Sequence, residues 1–184
     1  MWSKPHFKGL FVPVITLLLA AGIAFPIETI RDHEIGIVDP AEVITCFSSS
    51  ENCRELIINE IENAEKSIDA AVYSFTNLEL SKALIDAHSR GVKIRFITDN
   101  LQSKGRYSKS QFLVDSGIPV RLDGNDGYMH HKFAVFDGKS VIFGSYNWSN
   151  SAETRNDENL VLIRNEDFAR DFEGEFESMW NRYK

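Results

Sequence analysis

Two cysteines in 184 residues are too few for a disulfide-rich scaffold, and without a nearby Cys or His pair they cannot complete a structural zinc site. Cys46 and Cys53 lie close in sequence, which leaves two readings: a disulfide closing a short loop, or two small buried thiols. Low-complexity tracts and internal repeats are missing too. A cationic excess is lacking overall, since the net charge is −7 and the pI about 5.2. That balance argues against a simple nucleic-acid binder, because phosphate backbones attract basic surfaces. The deficit is uneven, however. Residues 82–132 hold nine Lys or Arg against five Asp, a local balance of +4, so the remainder carries −11. What is present in quantity is apolar area. With 43% hydrophobic residues, thirteen Phe and three Trp, the chain can bury the core of one globular domain.

The N-terminus departs from a globular pattern. Lys4 and Lys8 precede an uncharged run over residues 9–27, with its apolar heart at 10–25. A charged stretch, an apolar stretch and the small-x-small tripeptide Gly22-Ile23-Ala24 have the layout of a secretory signal. The run also approaches the roughly 20 residues that span a bilayer, and Pro13 and Pro26 do not forbid a membrane helix. Residues 1–26 therefore read as a signal peptide or membrane anchor, 27–40 as a linker and 41–184 as the folded domain. For a bacterial source, the expected location is the periplasm, or a membrane with the domain facing outside the cytoplasm. Export would favour the Cys46–Cys53 disulfide over the free thiols.

Within the domain, strand and helix patterns alternate. Strands are predicted at 43–47, 67–75, 92–98, 118–122, 131–136, 140–143 and 159–163. The first helix carries Leu56, Ile57, Ile61 and Ala64 at helical spacing, with cap candidates in Ser48-Ser49-Ser50. The second places Leu80, Ala83, Leu84 and Ala87 behind a Thr76…Glu79 capping box and ends at Gly91. A weaker helix over 110–116 ends at Gly117. Asn165 caps the last, whose stripe of Phe168, Phe172, Phe176, Met179 and Trp180 reads as core packing. Turns fall at 123–127 and 137–139, and a polar loop follows the strand at 140–143. The fold class is α/β, a mixed sheet flanked by helices.

The segment Met129-His130-His131-Lys132-Phe133-Ala134-Val135-Phe136-Asp137 holds His-x-Lys followed by four residues and then Asp. Residues two apart on a strand share a face, so His130 and Lys132 would project together with His131 opposite. An imidazole beside an ammonium suits a phosphodiester: the ring attacks phosphorus while the cation stabilises the anionic oxygens. Downstream, Gly144-Ser145-Tyr146-Asn147-Trp148-Ser149 precedes Arg155-Asn156-Asp157-Glu158-Asn159. Ser145 and Asn147 can donate to phosphate oxygens, and Gly144 allows close backbone approach. Glu158 can orient an imidazole through its second ring nitrogen. Gly138-Lys139-Ser140 ends like a phosphate loop, but Phe133 stands where the leading glycine belongs.

Taken together, His130-x-Lys132-(x)4-Asp137 and Gly144-Ser145-x-Asn147 resemble the signature of the phospholipase D superfamily. The resemblance runs from about residue 43 to the C-terminus, with single-motif Nuc-type endonucleases as the most similar members. Residues 127–134 also resemble the mitochondrial cardiolipin hydrolase (Zucchini) branch, whose cysteine-rich insert is missing here. The resemblance implies a phospholipase D-like fold with His130 as a nucleophile that forms a phosphohistidine. It places Lys132 and Asn147 at phosphate-binding positions with Ser145 beside them, and Glu158 as the acid orienting His130. Asp137 matches the motif's Asp, with a structural contribution. The resemblance-derived site set is therefore His130, Lys132, Asp137, Asn147 and Glu158, with Lys132, Ser145 and Asn147 on the substrate phosphate. It implies no metal and no other cofactor.

The expected function is an endonuclease cutting DNA or RNA, single strands favoured, with the cations of 82–132 guiding the strand. A phospholipase D or cardiolipin hydrolase, brought to its membrane by the N-terminal segment, is the alternative. An inactive nucleic-acid-binding or membrane-scaffold protein is the third reading, and the intact residue set argues against it. One more lack matters: the chain has a single His-x-Lys that continues to Asp at the motif's spacing. Once His130 is phosphorylated, the leaving oxygen needs a proton and a second group must activate water. His6 and His33 precede the domain, and His88 has no Lys two residues on. A homodimer with a two-fold axis would set a second His130 opposite the first.

Overall fold

Strand β2 (Ser67–Val72) reads Ser-Ile-Asp-Ala-Ala-Val and is buried along almost its whole length, without polar alternation. A strand of that kind must be covered on both faces. In the computed structural model, which describes residues 43–124 and 126–183, β2 is an interior strand of a seven-stranded sheet, between β5 and β3. The other strands are β1 (Val43–Phe47), β3 (Lys93–Thr98), β4 (Val120–Leu122), β5 (Lys132–Phe136), β6 (Ser140–Gly144) and β7 (Asn159–Arg164). Their order is β1-β7-β6-β5-β2-β3-β4. β2, β3 and β4 run parallel, whereas β5, β6, β7 and β1 join by antiparallel pairing, so the sheet is mixed.

Two cores result. Helices α1 (Cys53–Asn63), α2 (Leu78–Ser89) and α4 (Ser110–Asp115) cover one face, where Ile57, Ile61, Leu80, Leu84 and Leu113 meet Ala70, Phe96 and Ala134. Helix α6 (Glu166–Arg182) covers the other, where Phe176 and Met179 meet Ala71, Phe133 and Val135. Neighbours in sequence, such as Phe133 and Ala134, serve opposite cores because strand side chains alternate. Arg95 of β3 pins α6 to the sheet, donating to Asp69 of β2 at 2.6 and 2.8 Å and pairing with Glu173 and Glu177. Its guanidinium also lies over the rings of Phe176 and Trp180. The expected stripe is thus graded: Phe176 and Met179 are buried, Phe172 and Trp180 partly so, and Phe168 is exposed.

Several expectations shift by a residue or two. The first helix is capped by Asn52, not by the serine run, and the second by Asn77 rather than Thr76. In both, the amide oxygen reaches the orphan N–H groups more directly than the hydroxyls proposed for them. Gly91 and Gly117 do take positive φ after their helices. Two short helices lie where no helix is predicted, α3 (Asn100–Ser103) and α5 (Asn150–Thr154, in the polar loop), capped by Asp99 and Ser149. Their few residues carry no periodicity to detect. The Cys46–Cys53 pair is a disulfide joining β1 to the start of α1. The apolar segment at 1–26 and the linker at 27–40 lie outside the described residues. Among the described residues, no helix is long and apolar enough to cross a membrane.

Asp137 and Gly138 turn β5 into β6 with φ of 55° and 67°, the left-handed pair a tight hairpin requires. The Asp137 carboxylate accepts from the backbone N–H groups of Glu65, Lys66 and Ser67 at 3.0, 2.7 and 2.9 Å. It therefore fastens the end of β5 to the start of β2. Burial alone would raise this carboxyl, but the three N–H groups outweigh it and hold the acid below its ordinary range. A depressed folded value stabilises the fold above the unfolded pKa of about 3.9 and loses that contribution as pH falls through the folded value. Asp137→Asn keeps a residue that tolerates positive φ and removes the charge. It should lower unfolding free energy by about 1–2 kcal/mol at neutral pH, with the gap closing in acid. Denaturant melts at pH 7 and pH 3 check this, and an equal gap at both would refute it.

Candidate active site

β5 begins at Lys132, so its first side chain emerges where the strand enters the sheet. His130 lies just before the strand and is exposed, which departs from the expectation that both residues sit on one strand face. They converge all the same, because the Lys132 ammonium donates to the His130 carbonyl oxygen at 2.6 Å. His131 turns toward α6, its ring edge-on to Phe133 at 5.5 Å and its Nε2 3.8 Å from Glu175. Burial lowers the His131 pKa despite the Glu175 carboxylate, so this ring is neutral at pH 7.

Lys132 is 8% exposed, and burial pushes its ammonium down to about 8, with Glu158 opposing the shift. The cation sits 4.8 Å from the centre of the Tyr73 ring. A group this close to neutrality still carries its proton at pH 7 and responds to any added negative charge.

The second part of the site is built on Gly144, the last residue of β6, with φ of 152°. A Cβ there would lie 2.3 Å from the Asn159 carbonyl oxygen, so only glycine fits. That oxygen accepts from the Ser145 and Tyr146 N–H groups at 3.1 and 3.2 Å, folding the chain tightly against the start of β7. Beyond it the side chains alternate. Tyr146 and Trp148 are fully buried, while Ser145 and Asn147 face outward. Trp148 packs on Phe75 and Phe96, and its carbonyl accepts from Thr76 and Asn77 at the start of α2. Asn147 Oδ1 accepts from Ser74 N at 3.2 Å, which leaves its NH2 for the cavity.

Glu158 does not orient His130 in this structure. Its Oε2 accepts from the Ser145 hydroxyl and its Oε1 from Asn156 Nδ2, and among the described residues no hydrogen bond joins it to His130. Its backbone is tied to Ser48 in both directions, at 2.9 and 3.0 Å. The carboxylate acts on the site through its charge near Lys132.

His130, Lys132, Gly144, Ser145, Asn147 and Glu158 line one cavity of about 400 Å³. Asn147 also lines an adjoining cavity of about 840 Å³ with Tyr73, Gln102, Tyr107, Lys109 and Arg155. Asp137 lies at the opposite end of β5 and is not brought to the site. Among the described residues, no group of three or more His, Cys, Asp or Glu could hold a metal ion. Sequence reasoning missed Tyr73, Ser74 and Asn156, which belong to no spacing pattern and reach the site only through β2–β5 pairing and the folded loop. The basic stretch is also less of a face than its count suggests. Arg90 caps carbonyls of α1, Arg95 is enclosed by carboxylates, and Arg121 donates to the Trp180 and Tyr183 carbonyls. Lys104, Arg106 and Lys109 lie together between α3 and α4.

The family described as cardiolipin synthase, PLD-like domain, matches residues 57–180. A Rickettsia conorii protein named phospholipase D is 33% identical over 156 residues, covering 85% of this chain and 78% of that protein. A mitochondrial cardiolipin hydrolase of Xenopus laevis is 32% identical over 181 residues, covering 98% of this chain and 79% of that protein. The crystal structure of Nuc, a phospholipase D family member from Salmonella typhimurium, superposes with a TM-score of 0.74. It is 34% identical and covers 77% of this chain and 95% of its own. These findings overturn the expected location. The relatives include mitochondrial proteins of eukaryotes as well as Rickettsia proteins, and no described helix can cross a membrane. The periplasmic or membrane-anchored placement, which rested on the N-terminal segment and an assumed bacterial source, is withdrawn.

In the substrate-free protein, the Lys132 side chain should titrate with a midpoint near 8, an ammonium below and an amine above. Glu158→Gln removes the opposing charge and should move that midpoint lower. Lysine side-chain NMR over pH 6–11 (a span of about five units around the ordinary value) reads both, and a Lys132 midpoint near 10.5 would contradict the burial argument.

Proposed function

Because this chain belongs to the phospholipase D superfamily, we propose that it is a phosphodiesterase with His130 as nucleophile, acting as an endonuclease on single-stranded nucleic acid. The observation that carries this reading is the single cavity in which an exposed imidazole meets a buried cation, the free amide of Asn147 and the Ser145 hydroxyl. A ring nitrogen of His130 attacks phosphorus, forming the P–N bond as the P–O bond to one ester oxygen breaks. That oxygen leaves with a proton from a second imidazole. The same imidazole then takes a proton from water, whose oxygen attacks phosphorus and releases His130. Lys132 and the Asn147 NH2 hold the non-bridging oxygens, where negative charge builds in the transition state. Glu158 keeps Lys132 charged and holds Ser145. No step calls on a metal, since imidazole and ammonium supply the charges one would otherwise provide.

The second imidazole is assigned to His130 of another copy, across a two-fold axis. Exposure of His130 at the mouth of the cavity supports this, as does the turning of His131 away toward Glu175 of α6. Single-stranded nucleic acid is favoured by the adjoining cavity. Tyr107, 68% exposed, offers a surface on which a base can stack, and Lys109 and Arg155 offer charge for flanking phosphates. Hydrolysis of a phospholipid is the second reading, supported by the names of the relatives and by exposed Leu78 in the same cavity.

The full chain should cleave single-stranded DNA or RNA in excess EDTA at least as fast as it hydrolyses cardiolipin in vesicles. Loss of activity with chelator, restored by magnesium, would overturn the mechanism, and cleavage of cardiolipin alone would establish the second reading. Mixing wild-type and His130→Ala chains tests the composite site. Heterodimers should be nearly inactive despite one intact His130, whereas half the wild-type rate per dimer would mean that each chain is complete.

A further inference from the structure

The residue that holds the proposed nucleophile in place is not the carboxylate expected to do so. Glu158 is engaged by Ser145 and Asn156, and the His130 ring instead rests on Tyr73, with centroids 4.5 Å apart and planes tilted by 51°. The same phenol ring faces the Lys132 ammonium at 4.8 Å. One side chain therefore touches both halves of the His-x-Lys pair.

Tyr73 is itself fixed at three points. Strand β2 ends at Val72, and the Tyr73 N–H continues the pairing with β5 by donating to the His131 carbonyl at 2.8 Å. Its own carbonyl accepts from the Thr98 hydroxyl at 3.3 Å. Its hydroxyl accepts from Gln102 Nε2 at 3.1 Å. Gln102 is oriented in turn because its backbone N–H donates to Asp99 at the cap of α3. Tyr128 closes the stack edge-on to Tyr73, at 5.8 Å and 76°. Burial first, then the Asp99 charge, raises the Tyr73 phenol above its ordinary range, so it is neutral at working pH. A neutral ring locked on three sides can restrain an exposed imidazole without competing for its proton.

We propose that Tyr73 is the positioning residue of the site, its ring face setting the orientation of the His130 imidazole and holding the Lys132 ammonium beside it. The inference rests on the reading of His130 as nucleophile, but it concerns the free protein and can be tested there. An aromatic face is what the contacts require, and the two backbone anchors at His131 and Thr98 remain when the hydroxyl is removed. Tyr73→Phe should therefore preserve function, and Tyr73→Leu should not.

The experiment uses the full chain with bis(p-nitrophenyl) phosphate as the diester probe, together with NMR of the substrate-free protein in which the His130 ring signals are assigned by their loss in His130→Gln. Tyr73→Leu should lower kcat by about tenfold to a hundredfold, the range a misplaced reacting group produces, with KM changed by less than about threefold. Tyr73→Phe should stay within about threefold of wild type in both. The His130 ring protons should carry ring-current shifts in wild type and Tyr73→Phe and lose them in Tyr73→Leu. If Tyr73→Leu fails to fold, the wild-type protein still decides the matter through cross-relaxation between the Tyr73 and His130 rings. Absence of that signal, an unchanged kcat in Tyr73→Leu, or equal damage from Phe and Leu would each overturn the proposal. A wild-type protein inactive on every diester, yet showing the ring contact, would instead count against the proposed function alone.

Discussion

The Asn159 carbonyl oxygen accepts two successive N–H groups from the far side of the β6–β7 turn, and it can do so only because Gly144 has no side chain. That close approach sets the phase of everything between the two strands. With Gly144 fixed, Tyr146 and Trp148 fall into the core and Ser145 and Asn147 fall on the outside. Trp148 then carries the loop across to α2 through its carbonyl oxygen. Glu158 is brought back beside Ser145 at the start of β7. A polar site thus rests on two of the largest buried rings in the domain, and its accuracy comes from packing rather than from the loop's own preferences.

Across the cavity, Lys132 shows how burial and charge are balanced. Removing a lysine from water disfavours its charged form, and the shift to about 8 measures that cost. The Tyr73 ring, the His130 carbonyl and the nearby Glu158 recover part of it. An ammonium left short of counter-charge is poised to accept an anion, which a solvated surface lysine is not. Three arginines of the basic stretch serve other ends. Arg95 and Arg121 hold α6 to the sheet and Arg90 caps α1, so these cations are structural despite their place in a cationic run.

Much of the fold was legible because the signals were local. Strand positions followed from β-rich runs such as 43–47 and 159–163, and helix ends followed from Gly91, Gly117 and Asn165. The misses were local too. Asn52 and Asn77 outcompeted neighbouring hydroxyls as caps, and α3 and α5 are too short to carry a period. His131 was read into a strand that begins one residue later, because strand ends depend on pairing partners and not on composition.

The sequence by itself determined the chemistry on offer: His130, Lys132, Ser145, Asn147 and Glu158 at spacings that could meet, and Gly144 where the backbone must come close. It could do so because residue type and spacing are properties of the chain alone. Tertiary structure decided the rest. Only sheet order could place Tyr73 of the β2 end against His130, and set Asp137 at the far end of β5, fastening β2 by three backbone N–H groups. Only the folded loop could give Glu158 to Ser145 and Asn156 instead of to the imidazole. Apart from Asn156, two residues before Glu158, those partners lie from thirteen to more than seventy residues away. Their contacts arise from long-range pairing and packing, to which a linear spacing is blind.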